Sequence, residues 1–398
     1  MLNLTYKVSI STEYFFKNQE SIYMLIKKTI FIGIALTFLC YNFNLQAQAT
    51  ESTAYAETTS IMESEEVEEA EEEEGAPITL SGSVDTYFRT NLSGGTNNTE
   101  DGGTLAPATS FANLPGFSLG MANLIATYEG GKVGAVADLV FGPRGSDAVF
   151  DSPRYSSSAQ IINQLYAYLN VTDKLTLTMG NFNTFLGYEV ISPTANFNYS
   201  TSYMFSYGPF SHTGLKIDYA ADNGLSLMGA ILNPTDITEF NPTGDYFFGG
   251  QVGYGGFYLN TLLGEDYTQF DLTGGIDVSD TFYLGVNATY TDAGENDNED
   301  TAGFYGAALY AQLATSENFK LGLRYEFFND SDGNYVFGTG INDTSASDIT
   351  LTAQYSVGNL LIIPELRYDT ASEDIFVNAD GEIGNGLTSF VVAMVYGF

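Results

Sequence analysis

His212 is the first residue to test for chemistry, because it is the only histidine in the chain. It stands in the run Ser211-His212-Thr213. An imidazole acting as a base needs a nucleophile within hydrogen-bond reach. In an extended chain adjacent side chains point to opposite faces, so neither Ser211 nor Thr213 reaches it readily. As a metal ligand it would need companions, and Cys40 is the only cysteine. His212 therefore reads as a hydrogen-bonded anchor. No catalytic residue, metal site or cofactor is expected.

The other reactive groups are charges. The chain has 13 Lys+Arg against 49 Asp+Glu. That balance excludes a nucleic-acid partner, which needs a basic face. After residue 77 only nine cations occur: Arg89, Lys132, Arg144, Arg154, Lys174, Lys216, Lys320, Arg324 and Arg367. Asp218 follows Lys216 by two positions, Glu326 follows Arg324 by two, and Glu365 precedes Arg367 by two. On a strand, residues two apart share a face. These groups could form a neutralised ion network or leave a basic stripe, and the spacing permits both.

Strands are the elements that must position them. Phe319, Leu321, Leu323, Tyr325 and Phe327 alternate with Lys320, Gly322, Arg324 and Glu326. The same period of two recurs at 281–291 and 347–356. Sixteen such segments run from 78–90 to 387–398, with short turns alternating with long stretches. The long ones are 91–116, 142–160, 186–209, 233–244, 292–302, 330–346 and 370–386, while 265–268 breaks the pattern by being short. An apolar face opposite a polar or small one, repeated this often, predicts an all-β fold: a transmembrane antiparallel up-and-down β-barrel of about sixteen strands. All seven strand cations (Arg89, Lys132, Lys174, Lys216, Lys320, Arg324 and Arg367) fall on the expected inward face. A charge facing lipid at mid-membrane would cost about 2–4 kcal/mol. Closure brings the first, thirteenth and fifteenth strands close, so Arg89, Arg324 and Arg367 could share one wall.

The N-terminus reads as export machinery. Lys27 and Lys28 precede an apolar stretch from Thr29 to Cys40, followed by Ala47-Gln48-Ala49. That order is a secretory signal peptide, too short to span a bilayer as a helix. Met24 is its natural start, so residues 1–49 are an upstream extension plus leader. Residues 50–77, dominated by glutamate from Glu63 to Glu74, are an acidic disordered linker. The barrel is then 78–398. An even strand count puts both barrel ends on the periplasmic side. The last strand alternates to Tyr396 and Phe398, similar to the terminal signal read by barrel-assembly machinery. Periplasmic chaperones and outer-membrane lipid are the other expected partners, and self-association is left open.

Sixteen-stranded porin-type barrels enclose an aqueous channel. Segment 186–209, whose only charge is Glu189, is either a constriction folded into the lumen near His212 or a surface loop. The acidic loops Glu295–Asp300 and Asn329–Asn334 read as solvated, because Asp330-Ser331-Asp332-Gly333 lacks the downstream glutamate of a calcium loop.

One stretch carries a family resemblance. Gly180-Asn181-Phe182, Gly187-Tyr188-Glu189-Val190-Ile191, Asn198-Tyr199-Ser200 and Pro209-Phe210-Ser211-His212-Thr213-Gly214 are similar to the OmpL-like β-barrel porin family, β-barrel porin family two. The resemblance implies an outer-membrane porin without catalytic residues or cofactor, and it leaves the solute unnamed. The expected function is passive diffusion of small hydrophilic solutes through a water-filled lumen, made roomy by inward Gly, Ala, Ser and Thr. The alternative is a structural or adhesive barrel with a filled lumen, to which bulky inward Phe247 and Tyr310 point. A hydrolase would need a nucleophile beside His212. An energy-coupled transporter would need a folded plug that 50–77 cannot make.

Overall fold

The computed structural model describes residues 78–93, 106–149, 155–295, 301–377 and 382–398. The leader, the linker and most of Glu295–Asp300 lie outside the described residues.

Fifteen strands follow one another: β1 (Ile78–Asn91), β2 (Gly116–Glu129), β3 (Val133–Phe141), β4 (Ile162–Thr172), β5 (Leu175–Asn183), β6 (Ser211–Ala220), β7 (Leu225–Leu232), β8 (Phe247–Tyr254), β9 (Phe257–Leu263), β10 (Thr268–Ser279), β11 (Phe282–Glu295), β12 (Thr301–Ser316), β13 (Phe319–Asp330), β14 (Thr344–Val357) and β15 (Leu360–Ala371). A small ribbon of β16 (Phe376–Val377) and β17 (Ile383–Gly384) stands apart from them. The final strand, β18 (Gly386–Gly397), pairs with both β15 and β1 and closes the barrel. Each barrel strand pairs antiparallel with its neighbours, so sixteen strands form one closed up-and-down sheet. Closure leaves no open edge, as hydrocarbon requires. No helix among the described residues is long and apolar enough to cross a membrane, which says nothing of spanning strands.

Register explains the two faces. Leu323 of β13 lies opposite Leu351 of β14, which lies opposite Leu366 of β15. Tyr325, Ile349 and Tyr368 make the next row. All six are exposed and face outward. A continuous apolar surface of this kind is unfavourable in water and suits lipid. Their sequence neighbours Arg324, Glu326, Asp348, Thr350, Glu365 and Arg367 are buried inside.

Both ends of the barrel meet at one rim. Gly82 and Phe398 exchange backbone hydrogen bonds of 2.9 Å, and Ile78 pairs with Tyr128 just before the β2–β3 turn. The short turns share this rim, and the long loops, together with the short β9–β10 connection, share the other. Two of those loops carry short helices absent from the periodicity reading, α1 (Pro143–Ala148) and α2 (Tyr203–Tyr207).

Candidate functional site

The segment between β5 and β6 folds into the lumen. Its side chains and backbone are held by inward-facing residues from across the barrel. At its start Gly187 N donates to Asp271 Oδ1 of β10 at 3.0 Å, and Tyr188 stacks on Tyr310 of β12 with ring centroids 4.1 Å apart. Asn198 Nδ2 then donates to Thr352 of β14 at 2.7 Å. Tyr199 N reaches Glu365 Oε2 of β15 at 2.9 Å, and its hydroxyl reaches Asp85 of β1 at 2.5 Å. The helix α2 starts at an N-cap serine, Ser202, whose hydroxyl accepts from Phe205 N at 3.1 Å. Glu326 of β13 accepts from Tyr203 N and Met204 N at 2.7 and 2.8 Å, satisfying two of the N–H groups that a helix start leaves without an intrahelical partner.

Two arginines lock this segment to its wall. Arg324 Nη1 donates to Glu189 Oε1 and to the Ser200 carbonyl, both at 2.7 Å, while Nε reaches Asp348 at 3.2 Å. Arg367 grips Asp369, with Nη2 to Oδ1 at 2.7 Å, and its Nη1 donates to the Thr201 carbonyl at 2.6 Å. Both guanidinium groups are fully buried. Burying such charges requires partners for every donor, and the loop carbonyls provide part of the set.

Glycines make the wall concave. A Cβ on Gly322 of β13 would lie 2.1 Å from the Phe197 ring. On Gly306 of β12 it would meet Met204, and on Gly285 of β11 it would meet Tyr188. The space at these inward glycines, expected to hold water, is filled by loop side chains instead.

The opposite side, β4 to β9, is wetter toward the short-turn rim. Lys216 Nζ lies 3.1 Å from Asp218 Oδ2, and the two side chains keep 25% and 39% of their surface. Tyr166, Tyr168, Ser226, Gln251 and Tyr258 are half-buried around them. Toward the long loops this side is also packed, where Phe182, Phe185, Leu186, Leu232 and Leu262 gather with Phe247 and Tyr267.

The expected site residues therefore separate. Arg324, Arg367, Glu189, Glu326 and Glu365 come together on one wall, and Arg89 lies beside them on β1. Lys216 and Asp218 face the other side. Lys132 and Lys174, expected within strands, lie in the short turns, where Lys174 pairs with Asp222. Each is the residue just before the first strand position, too near the rim to face the lumen. Lys320, the second residue of β13, is exposed at the same rim. Glu326 and Glu365 do not pair with the arginines two positions away. They accept loop N–H groups, and the pairing carboxylates are Glu189, Asp348 and Asp369.

His212 Nε2 lies 2.9 Å from Thr184 Oγ1, and the ring packs on Phe185 at 5.0 Å. Its Nδ1 has no hydrogen-bond partner, and Ser211 N turns to Asp236. The second acidic loop is not simply solvated: Asp330 and Asp332 are buried and accept N–H groups from Val336, Phe337, Asn334 and Tyr335. Among the described residues no group of three or more His, Cys, Asp or Glu is placed to hold a metal ion. Sequence reading missed Asp85, Asp271, Asp348 and Asp369, and also Arg144, which donates at 2.9 Å to the Ile191 carbonyl of the inserted segment. An inward strand position was the only available signal for the four aspartates, and Arg144, in α1, had none.

A closed sixteen-strand barrel with an apolar outside, a polar inside and a long segment folded into its lumen defines an outer-membrane channel for solutes. Residues 77–398 match the family described as beta-barrel porin-2, OmpL-like, and the chain belongs to that family. The anion-selective porin of Comamonas acidovorans is similar in fold, with 14% identity, TM-score 0.53, and 81% of this chain and 99% of that one covered. The outer-membrane channel DcaP of Acinetobacter baumannii is similar too, with 14% identity, TM-score 0.50, and 81% and 97% covered. No curated protein matches the chain.

Proposed function

We propose that small hydrophilic solutes diffuse passively along the β4–β9 side of the lumen, and that this path prefers cations. The observation that carries the reading is the unequal fate of the inward cations. Arg324 and Arg367 are consumed in a buried network, whereas the water-accessible Lys216 is matched by Asp218. At the short-turn rim the exposed charges Glu129, Asp173, Asp222, Asp277, Asp280 and Glu317 outnumber Lys132, Lys174 and Lys320. An acidic mouth raises the local cation concentration. The selectivity named for the Comamonas porin does not transfer at 14% identity.

Planar-bilayer recordings of the refolded protein in a potassium chloride gradient test this directly. A reversal potential on the cation side is expected, and one on the anion side would end the cation preference. A second reading, a filled barrel that presents its loops to partners, is favoured by the packing of Phe185, Tyr188 and Met204 in the long-loop half. Absence of any conductance would select it.

The same reading places the short-turn rim in the periplasm, joined to an exported, signal-cleaved chain by the 50–77 spacer. Tyr396 and Phe398 project outward from the end of the barrel and would meet the assembly machinery, after delivery by periplasmic chaperones. The reading includes no enzymatic step, because among the described residues the His212 ring is hydrogen-bonded to Thr184 and to no acid. Ester hydrolysis lost in His212→Ala would contradict it.

A further inference from the structure

We propose that a small monovalent anion, of the size and charge of chloride, binds in a cavity beside Arg89. Arg89 projects inward from β1 and is 1% exposed. A guanidinium stays charged at any physiological pH. Among the described residues no carboxylate lies within ion-pair distance of it. The carboxylates on the walls around it are already engaged. Asp369 holds Arg367 and accepts from the Tyr203 hydroxyl. Asp85 takes Met121 N and the Tyr199 hydroxyl. Glu365, which also borders the cavity, turns its oxygens to Tyr199 N, Ser200 and Thr352.

Arg89 itself is half satisfied. Nη2 donates to Asn91 Oδ1 at 2.7 Å, and Nη1 is buried with no acceptor. Beside it lies a cavity of about 10 Å³, bordered by Arg89, Arg367, Thr109, Asn113 and Ser389. That is room for one small particle. A water there would satisfy the N–H but not the charge, and an unpaired buried charge is costly. A halide satisfies both, with Arg367 adding a second positive group across the cavity and the hydroxyls of Thr109 and Ser389 available as donors. Bulky polyatomic anions such as gluconate do not fit. Because residues 107–113 form one side of the cavity, a bound anion would also fasten that loop segment to the wall. The site lies on the other wall from the proposed diffusion path and stands independently of it.

The test uses the full chain refolded in detergent and heated in sodium chloride or sodium gluconate at equal ionic strength. Chloride is expected to raise the unfolding midpoint by several degrees over gluconate, and bromide to replace it. Arg89→Met should abolish the gain. If that variant does not fold, Ser389→Leu, which fills the cavity and leaves the guanidinium in place, should abolish it instead. Crystals grown in bromide should show an anomalous peak at Arg89 Nη1. Equal midpoints in the two salts, or a bromide crystal with only water in the cavity, would overturn the proposal.

Discussion

Two walls of one lumen treat the same kind of residue in opposite ways. On β13 and β15, Arg324 and Arg367 are fully buried, each bound to carboxylates and to carbonyls of the inserted segment. On β6, Lys216 projects inward just as they do, yet keeps water and a single carboxylate partner. The strand pattern is equivalent in the two places. What differs is the company brought by segment 186–209, whose Glu189 and backbone oxygens complete the arginine cages. Anchorage and passage are thus divided between walls by where one loop lies down.

The sharpest way to break the division is Arg324→Met. It leaves Glu189 buried without its cation and Asp348 with Arg367 alone, 3.8 Å away, which costs about 3–5 kcal/mol. Urea unfolding of the refolded protein should show a drop of that order, whereas Lys216→Met should shift stability by about 1 kcal/mol or less. Next is Gly322→Val. Its side chain would enter the space held by Phe197, and overpacking of this kind costs about 1–3 kcal/mol. Displacement of the segment should accompany the loss, seen as a changed single-channel conductance.

These effects could not be foreseen from the sequence, although the wall itself could. A period of two places Arg324 and Glu326 inward, and the sixteen strands and their turns follow from the same alternation. The partner of Arg324 lies 135 positions away in Glu189. Nothing in local spacing links them, so the nearer Glu326 looked like the natural partner. Likewise Gly285, Gly306 and Gly322 looked like room for water, because the residues that fill them come from a distant loop. Periodicity reports faces, and loop paths depend on long-range packing that it does not encode. Lys132 and Lys174 show its other limit, since a one-residue difference at a strand end separates lumen from rim.

Smaller effects probe the wet side. Lys216→Glu should make the reversal potential more cation-selective while leaving the unfolding midpoint nearly unchanged, because the pair is partly solvated and screened. The smallest effect lies outside both walls, where Glu239 joins two long loops by accepting from Tyr155 N at 2.6 Å and Ser156 N at 3.0 Å. The bonds from Ser156 and Tyr155 hold its carboxyl below the usual glutamate value. A lowered carboxylate stabilises above its unfolded value, and that contribution is lost as pH falls through the lowered one. The amide resonances of Tyr155 and Ser156 should titrate with a midpoint below the ordinary glutamate value of about 4.3, and should not titrate in Glu239→Gln.

Charged thiol reagents applied during bilayer recording test the two-wall account most directly. Cys40 is the only native cysteine and precedes the barrel. Asp218→Cys puts a thiol on the proposed path, and Thr350→Cys puts one at a buried inward position of β14. The account predicts that a cationic reagent reduces current through the Asp218→Cys channel and leaves the Thr350→Cys channel unchanged. Equal reduction in both, or reduction at Thr350→Cys alone, would contradict it.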